Sequence, residues 1–449
     1  MNKSDVNGMK KDTFLNFLSL KFQKELIRRA QRSTYTYEEI FTLYTKLFLL
    51  ELECAMTNSE WYASHKNIVD SYCFVDGKEE NGMLNSEMSR FFYNILRCYY
   101  LWVNTDMKTS LAVCFDFFHK GVLLPCAKTG KYVVEISDSD NKPLYRGRYS
   151  KDFIEKRDIF HISFRETYKI KNQRFSITGQ PLLYLSDKLE GITHELEVDN
   201  MKCIYSNLYV SQYTLKKDIP SLYFFDLRIQ SEKNTTDILH EVIDDNDFRL
   251  FMNRFILSCI CSFPAVHKGS DFIEEYVIPQ MITQSVKNYQ EPNGTSVIDK
   301  YSGICYESAD YNLETTYTNF AIFTNKSQLS TIYDDSLRNK FNITNPITAD
   351  VIEGKNKFDA SSSECVGIIK DFYETVNMKN LHIKERLSTE SGKEFERKYT
   401  NFFSDVTSRQ KENHYKRFAI IQSLTSLKVF ISLTISEPKK VLPSSNVGS

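Results

Sequence analysis

The chain has 449 residues, of which 41% are apolar and 26% charged, a globular balance that excludes a disordered polymer and exceeds one ordinary core. With 57 basic against 58 acidic residues the formal net charge is −1, so nothing in the total calls for a polyanion partner, and no nucleic acid is expected.

In chain order, residues 13 to 120 read as helices. In TFLNFLSLKFQKELIRR, Phe14, Phe17, Leu18 and Phe22 follow helical spacing, as do Ile40, Phe41, Tyr44, Leu47 and Phe48, and again Phe91, Phe92, Ile95, Leu96 and Tyr99. VDGKEENG at 75 to 82 is a turn between two of them. After Pro125 the pattern changes. KYVVEIS at 131 to 137 alternates like a strand, SDSDNKP marks a loop, and LYRGRY at 144 to 149 opens a series of short extended segments that ends at Leu185. A short helix is expected from Glu190 to Val198, then strands in MKCIYSNLYV and SLYFFDLRI. Two helices follow at about 236–262 and 271–287, the second broken by Pro279 unless that residue sits in the first turn. KYSGICYES and NFAIFTN read as paired strands. GKNKFDASSSE at 354 to 364 is a linker or exposed loop, the remainder reads as mostly helical until Pro438, and PKKVLPSSNVGS reads as a disordered tail.

The fold class is therefore α+β, in three parts: a helical region at 1–128, a mixed domain of short strands and helices at 129–345, and a mostly helical segment at 346–449. Ten scattered cysteines without a C-x-x-C pair read as reduced thiols of a cytoplasmic protein. The apolar run Phe418 to Ile435 is interrupted by Gln422, Lys428 and several hydroxyl residues, and reads as a buried element rather than a bilayer span.

Several chemistries lack their motifs. There is no P-loop, no G-x-G-x-x-G between a strand and a helix and no G-x-S-x-G elbow. His194-Glu195 begins the zinc-protease pattern H-E-x-x-H, but position 198 is Val198; no metal site is expected. What remains is a set of single residues. Arg146 and Arg148 flank Gly147, where a turn could bring two guanidinium groups to one anion, and Arg174 adds a third. Tyr184 lies in the apolar run Leu182–Leu185, Glu195 follows eleven residues later, and Ser308 ends GICYES. Taken singly, arginines beside a glycine are ordinary surface charge, a tyrosine among leucines ordinary core, and Glu195 with Glu197 the wet face of a helix.

Taken in order they resemble the RES-domain family, named for its Arg, Glu and Ser and including bacterial toxins that consume NAD. LYRGRY matches the early Arg, QRFSITGQPLLYLS the Arg-to-Tyr block, THELE the Glu, and GICYES followed by NFAIF the Ser block. The family's frequent paired glycine before the second Arg is replaced here by Asn172-Gln173. The resemblance covers roughly residues 140 to 345. It implies an ADP-ribosyltransferase-like fold and cleavage of the nicotinamide–ribose bond of NAD by hydrolysis or, with inorganic phosphate as co-substrate, phosphorolysis. It further implies catalytic roles for Glu195, Arg146 and Ser308, contacts to NAD from Arg148, Arg174 and Tyr184, and an inhibitory antitoxin or other regulatory partner. A homo-oligomer stays open. The alternatives are mono-ADP-ribosylation of a macromolecule and a non-catalytic nucleotide-sensing module.

Overall fold

A computed structural model describes residues 13–33, 36–57, 59–73, 86–140, 142–150, 154–196, 208–229, 242, 244–267, 269–290, 294, 296–308 and 317–348. The turn at 75–82, the run 418–435, the 354–364 loop and the tail lie outside the described residues. Elements are numbered in chain order. The Cα framework divides into two units, the first formed by 1–140, 161–187 and 218–337, the second by 141–160, 188–217 and 338–449.

Unit 1 begins with helices α1 (Thr13–Phe17), α2 (Leu20–Ser33), α3 (Tyr37–Thr57), α4 (Glu60–Cys73), α5 (Glu87–Val103) and α6 (Met107–Phe118). Their starts are written in the sequence. At α3, Thr36 and Glu39 form a reciprocal capping box, each backbone N–H donating to the other's side chain at 3.2–3.3 Å. At α5 the Ser86 hydroxyl accepts from Ser89 N at 3.1 Å. A π-helical turn (His119–Leu123) joins α6 to α7 (Leu124–Thr129), which ends at Gly130 in the left-handed region. Met107–Thr129 is long and apolar enough to cross a bilayer by length and composition, yet Ser110, Cys114, Phe118, Val122, Leu123 and Cys126 on it are buried.

The strands of unit 1 are β1 (Val133–Ile136), β3 (Leu182–Ser186), β5 (Leu222–Asp226), β6 (Gly303–Glu307) and β7 (Thr318–Phe323), hydrogen-bonded in the order β1-β5-β6-β7-β3. The two strands expected as a pair within 300–308 and 319–325 do pair, and antiparallel. The β5–β6 pair is parallel, so the chain must cross over, and α9 (Asp245–Cys261) and α10 (Val277–Lys287) lie in that connection. Every residue of α9 from Leu250 to Cys261 is buried, which is why its sequence shows no clean apolar stripe. Pro279 sits in the first turn of α10, where its missing N–H has no intrahelical acceptor to lose. One apolar core runs without a break from the helices into the sheet, with Phe17, Phe48 and Phe255 on the helical side and Phe118 meeting Phe225 edge-on at 5.5 Å. Among the described cysteines Cys54 is exposed and the rest are buried free thiols.

Unit 2 contains β2 (Leu144–Tyr149), α8 (Leu189–Glu195), β4 (Leu208–Leu215), β8 (Phe341–Ile343) and β9 (Ile347–Thr348). Strands β2, β8 and β9 each pair antiparallel with β4. Helix α11 (Asp335–Arg338) lies at the boundary between the units in sequence. The architecture is mixed α+β, as the alternation of helical and strand patterns implies.

Candidate functional site

In unit 2 the LYRGRY segment is a single straight strand, with Arg146 opposite Ser211 and Arg148 opposite Tyr209. Strand alternation puts both arginines on one face, so no turn at Gly147 is needed to bring them together. Gly147 has a different task. A Cβ there would lie 2.2 Å from Cγ2 of Ile192, so the glycine lets α8 press its buried Ile192 against the opposite face of β2, beside Leu208 and Val210. On the arginine face, Arg148 Nη1 donates to the carbonyl of Asp158. Tyr213 stands on that face too. Burial pushes its phenol up, and the Arg146 charge pulls it back. Glu195 is the last residue of α8 and is exposed. A short helix that begins at Leu189 and ends at Glu195 thus carries the carboxylate, while its Ile192 anchors it.

In unit 1, Arg174 is committed to the protein itself. Its Nη1 donates to the carbonyls of Cys261 and Phe263 at 2.8 and 2.7 Å, satisfying the C-terminal end of α9, and its guanidinium lies 5.0 Å from the ring centre of Tyr276. Tyr184 is central in β3, half-buried against the apolar core and opposite Ala321 of β7. Ser308 follows the last residue of β6. Ala321 is also opposite Ile304, so Tyr184 and Ser308 lie two strands apart and four residues apart along the strands, on the order of 15 Å between Cα atoms. They could touch an extended ligand only at separate points.

The comparisons with known proteins are narrow. The chain is similar to a protein of Bacillus subtilis (strain 168) named "Putative toxin YopC", 28% identical over 182 residues. That match spans 38% of this chain and 38% of the relative, so the chain covers well under half the length of the curated protein it resembles. No protein-family model matches, and no solved structure matches.

The structure also gathers charged residues that the sequence reading passed over, at one end of β5 and β6. Asp226, 2% exposed, closes β5 and is gripped by Arg228, whose Nε and Nη2 bond its two carboxylate oxygens at 2.9 Å each. Arg254, 1% exposed on α9, donates to the Asp226 carbonyl at 2.9 Å and to the Arg228 carbonyl, with 3.6 Å to the Asp226 carboxylate. Burial works against the Asp226 charge, but Arg254 and Arg228 overcome it and hold its pKa below the ordinary value. Arg228 reaches on to the Thr318 hydroxyl at 3.3 Å.

Beside this group, directly before Ser308, stands Glu307. Its Oε2 is buried without a hydrogen-bond partner. Burial first, and then the neighbouring Asp226 charge, push its pKa up to about 7 against the pull of Arg228, Lys24 and Arg254. A carboxyl of that kind can give or take a proton near neutrality. The only sequence signal for this cluster was an Asp-x-Arg at the end of an apolar strand and a Glu at the end of another, neither distinctive without the fold. Among the described residues no His, Cys, Asp and Glu side chains gather as a metal-holding group.

Proposed function

We propose that the chain is an NAD-consuming toxin that breaks the bond between nicotinamide and ribose. The observation that carries this reading is the sequence stretch 173–195, whose RES-like residues fall on a regular succession of elements: a turn, a strand bearing Tyr184 and a short helix that ends on an exposed Glu195. The similarity to a protein named as a toxin supports the biological half of the reading.

The chemistry asks for few groups. As the C1′–N bond of NAD breaks, its electron pair passes to the pyridinium nitrogen, nicotinamide leaves neutral, and positive charge develops on the ribose. In this reading the Glu195 carboxylate stabilises that charge electrostatically. An oxygen nucleophile then attacks C1′, and its proton passes to a base. Water gives ADP-ribose; inorganic phosphate gives the corresponding phosphate ester. Arg146, on the face of β2 opposite to α8, serves an anionic part of the substrate remote from the ribose, with Arg148 beside it on the same face. Arg174, occupied by the α9 carbonyls, serves by holding its loop in place.

Purified protein incubated with NAD, with and without phosphate, tests the reading by product analysis. Free nicotinamide with ADP-ribose or its phosphate ester supports it. Nicotinamide release that requires a macromolecular acceptor, which becomes labelled, would replace it with ADP-ribosyl transfer. Bound but unconsumed NAD would replace it with a sensing module.

A further inference from the structure

Unit 1 holds a cavity of about 480 Å³, lined among others by Gln180, Thr283, Gln284, Lys287, Asn288 and Lys326. That volume falls in the range of small-molecule sites. Two lysines line it and no Asp or Glu does. Neither Tyr184, Arg174 nor Ser308 belongs to the lining.

The two cations differ in kind. Lys326 is exposed at the rim. Lys287 is half-buried, and its ammonium donates to the neutral carbonyl of Thr324 at 3.1 Å. Among the described residues it has no ion-pair partner. Asp334 is the acid whose field reaches it, but that carboxylate is already taken by Asn325 N, the Ser336 hydroxyl and Leu337 N at 2.6–3.0 Å. An ammonium partly withdrawn from water, with one neutral protein acceptor for its three hydrogens, favours an anion in the cavity.

The neutral lining adds donors. Gln284 Nε2 donates to Gln180 Oε1 at 2.8 Å, which leaves the Gln180 amide its own two N–H donors. The C-terminal end of α10 contributes about half a negative charge here, which opposes an anion but is outweighed by two whole positive charges. A cavity lined by two lysines and several amides, with no carboxylate in its lining, matches a phosphate group carried on a small polar body.

We propose that this cavity binds a small phosphomonoester, a mononucleotide or a sugar phosphate, through Lys287 and Lys326. The inference stands on the cavity alone and does not depend on the NAD reading: Glu195→Gln leaves the cavity lining untouched, so failure of either one is separately visible.

Calorimetric titration of the full chain tests it, with inorganic phosphate, AMP, ribose 5-phosphate and uncharged adenosine as probes. AMP and ribose 5-phosphate distinguish the two sources of phosphate, and adenosine measures binding without it. The expected result is binding of at least one phosphomonoester, at least tenfold tighter than adenosine, weakening as salt rises from 50 to 300 mM. Lys287→Met should weaken it about tenfold and Lys326→Met about threefold. Lys326 is exposed, so its variant remains decisive even if Lys287→Met melts early. The proposal is overturned if no phosphomonoester binds, or if Lys326→Met binds as tightly as the parent chain.

Discussion

Replacing Glu307 by Gln should make the protein more stable at alkaline pH and change little at acid pH. The reasoning follows the proton. The Glu307 carboxyl is pushed up to about 7 in the folded chain, against an ordinary value of 4.5. Below pH 4.5 both folded and unfolded chains hold the proton, and the group has no pH-dependent effect. Between 4.5 and 7 only the folded chain keeps it, so stability falls as pH rises through that window and stays lower above it. The gap corresponds to about 3 kcal/mol at about 1.4 kcal/mol for each tenfold change in proton affinity, and solvent reaching part of the side chain trims this to about 2 kcal/mol. Gln has no proton to lose, so Glu307→Gln should gain about 2 kcal/mol over the parent between pH 5 and pH 8. The two tryptophans, Trp61 and Trp102, both lie in helices of unit 1, as Glu307 does in its sheet, so tryptophan fluorescence during urea unfolding reads the relevant transition. A stability difference that is the same at both pH values would refute the buried-carboxyl account.

Two further outcomes follow from single contacts. Gly147→Ala should destabilise unit 2 by about 1–3 kcal/mol, because the new methyl meets Ile192 at 2.2 Å, and limited proteolysis should then cut near α8 sooner than in the parent. Arg174→Met should cost about 1.5–3 kcal/mol in thermal or urea unfolding, by stripping the α9 carbonyls of a charged donor. A normal melting curve with weakened NAD binding would instead make Arg174 a ligand contact.

Much of the fold was legible because local signals agreed. The aromatic stripes of the early helices and the short apolar runs GICYES and NFAIF point the same way in sequence and structure. What the sequence hid has physical reasons. Helix α9 was expected within 236–262, but its burial on every side from Leu250 to Cys261 left no apolar stripe to say which face meets the core. Gly147 looked like a turn residue between two arginines, whereas its purpose is the close approach of Ile192 from an element more than forty positions downstream. Arg174 looked like a free cation, and its carbonyl partners at 261 and 263 are far along the chain. The Asp226–Arg228–Arg254–Glu307 group needs three elements brought together before it exists at all.

The most direct test of the central claim is nicotinamide release from NAD by the purified full chain beside its Glu195→Gln variant, both shown to unfold at the same urea concentration. Glu195 is exposed at the end of α8, so the substitution should leave folding intact. The account predicts steady release by the parent chain and a loss of at least a hundredfold in the variant, the scale of removing an electrostatic partner of a developing charge. Equal release by both chains would contradict the role given to Glu195, and no release by either would contradict NAD consumption itself.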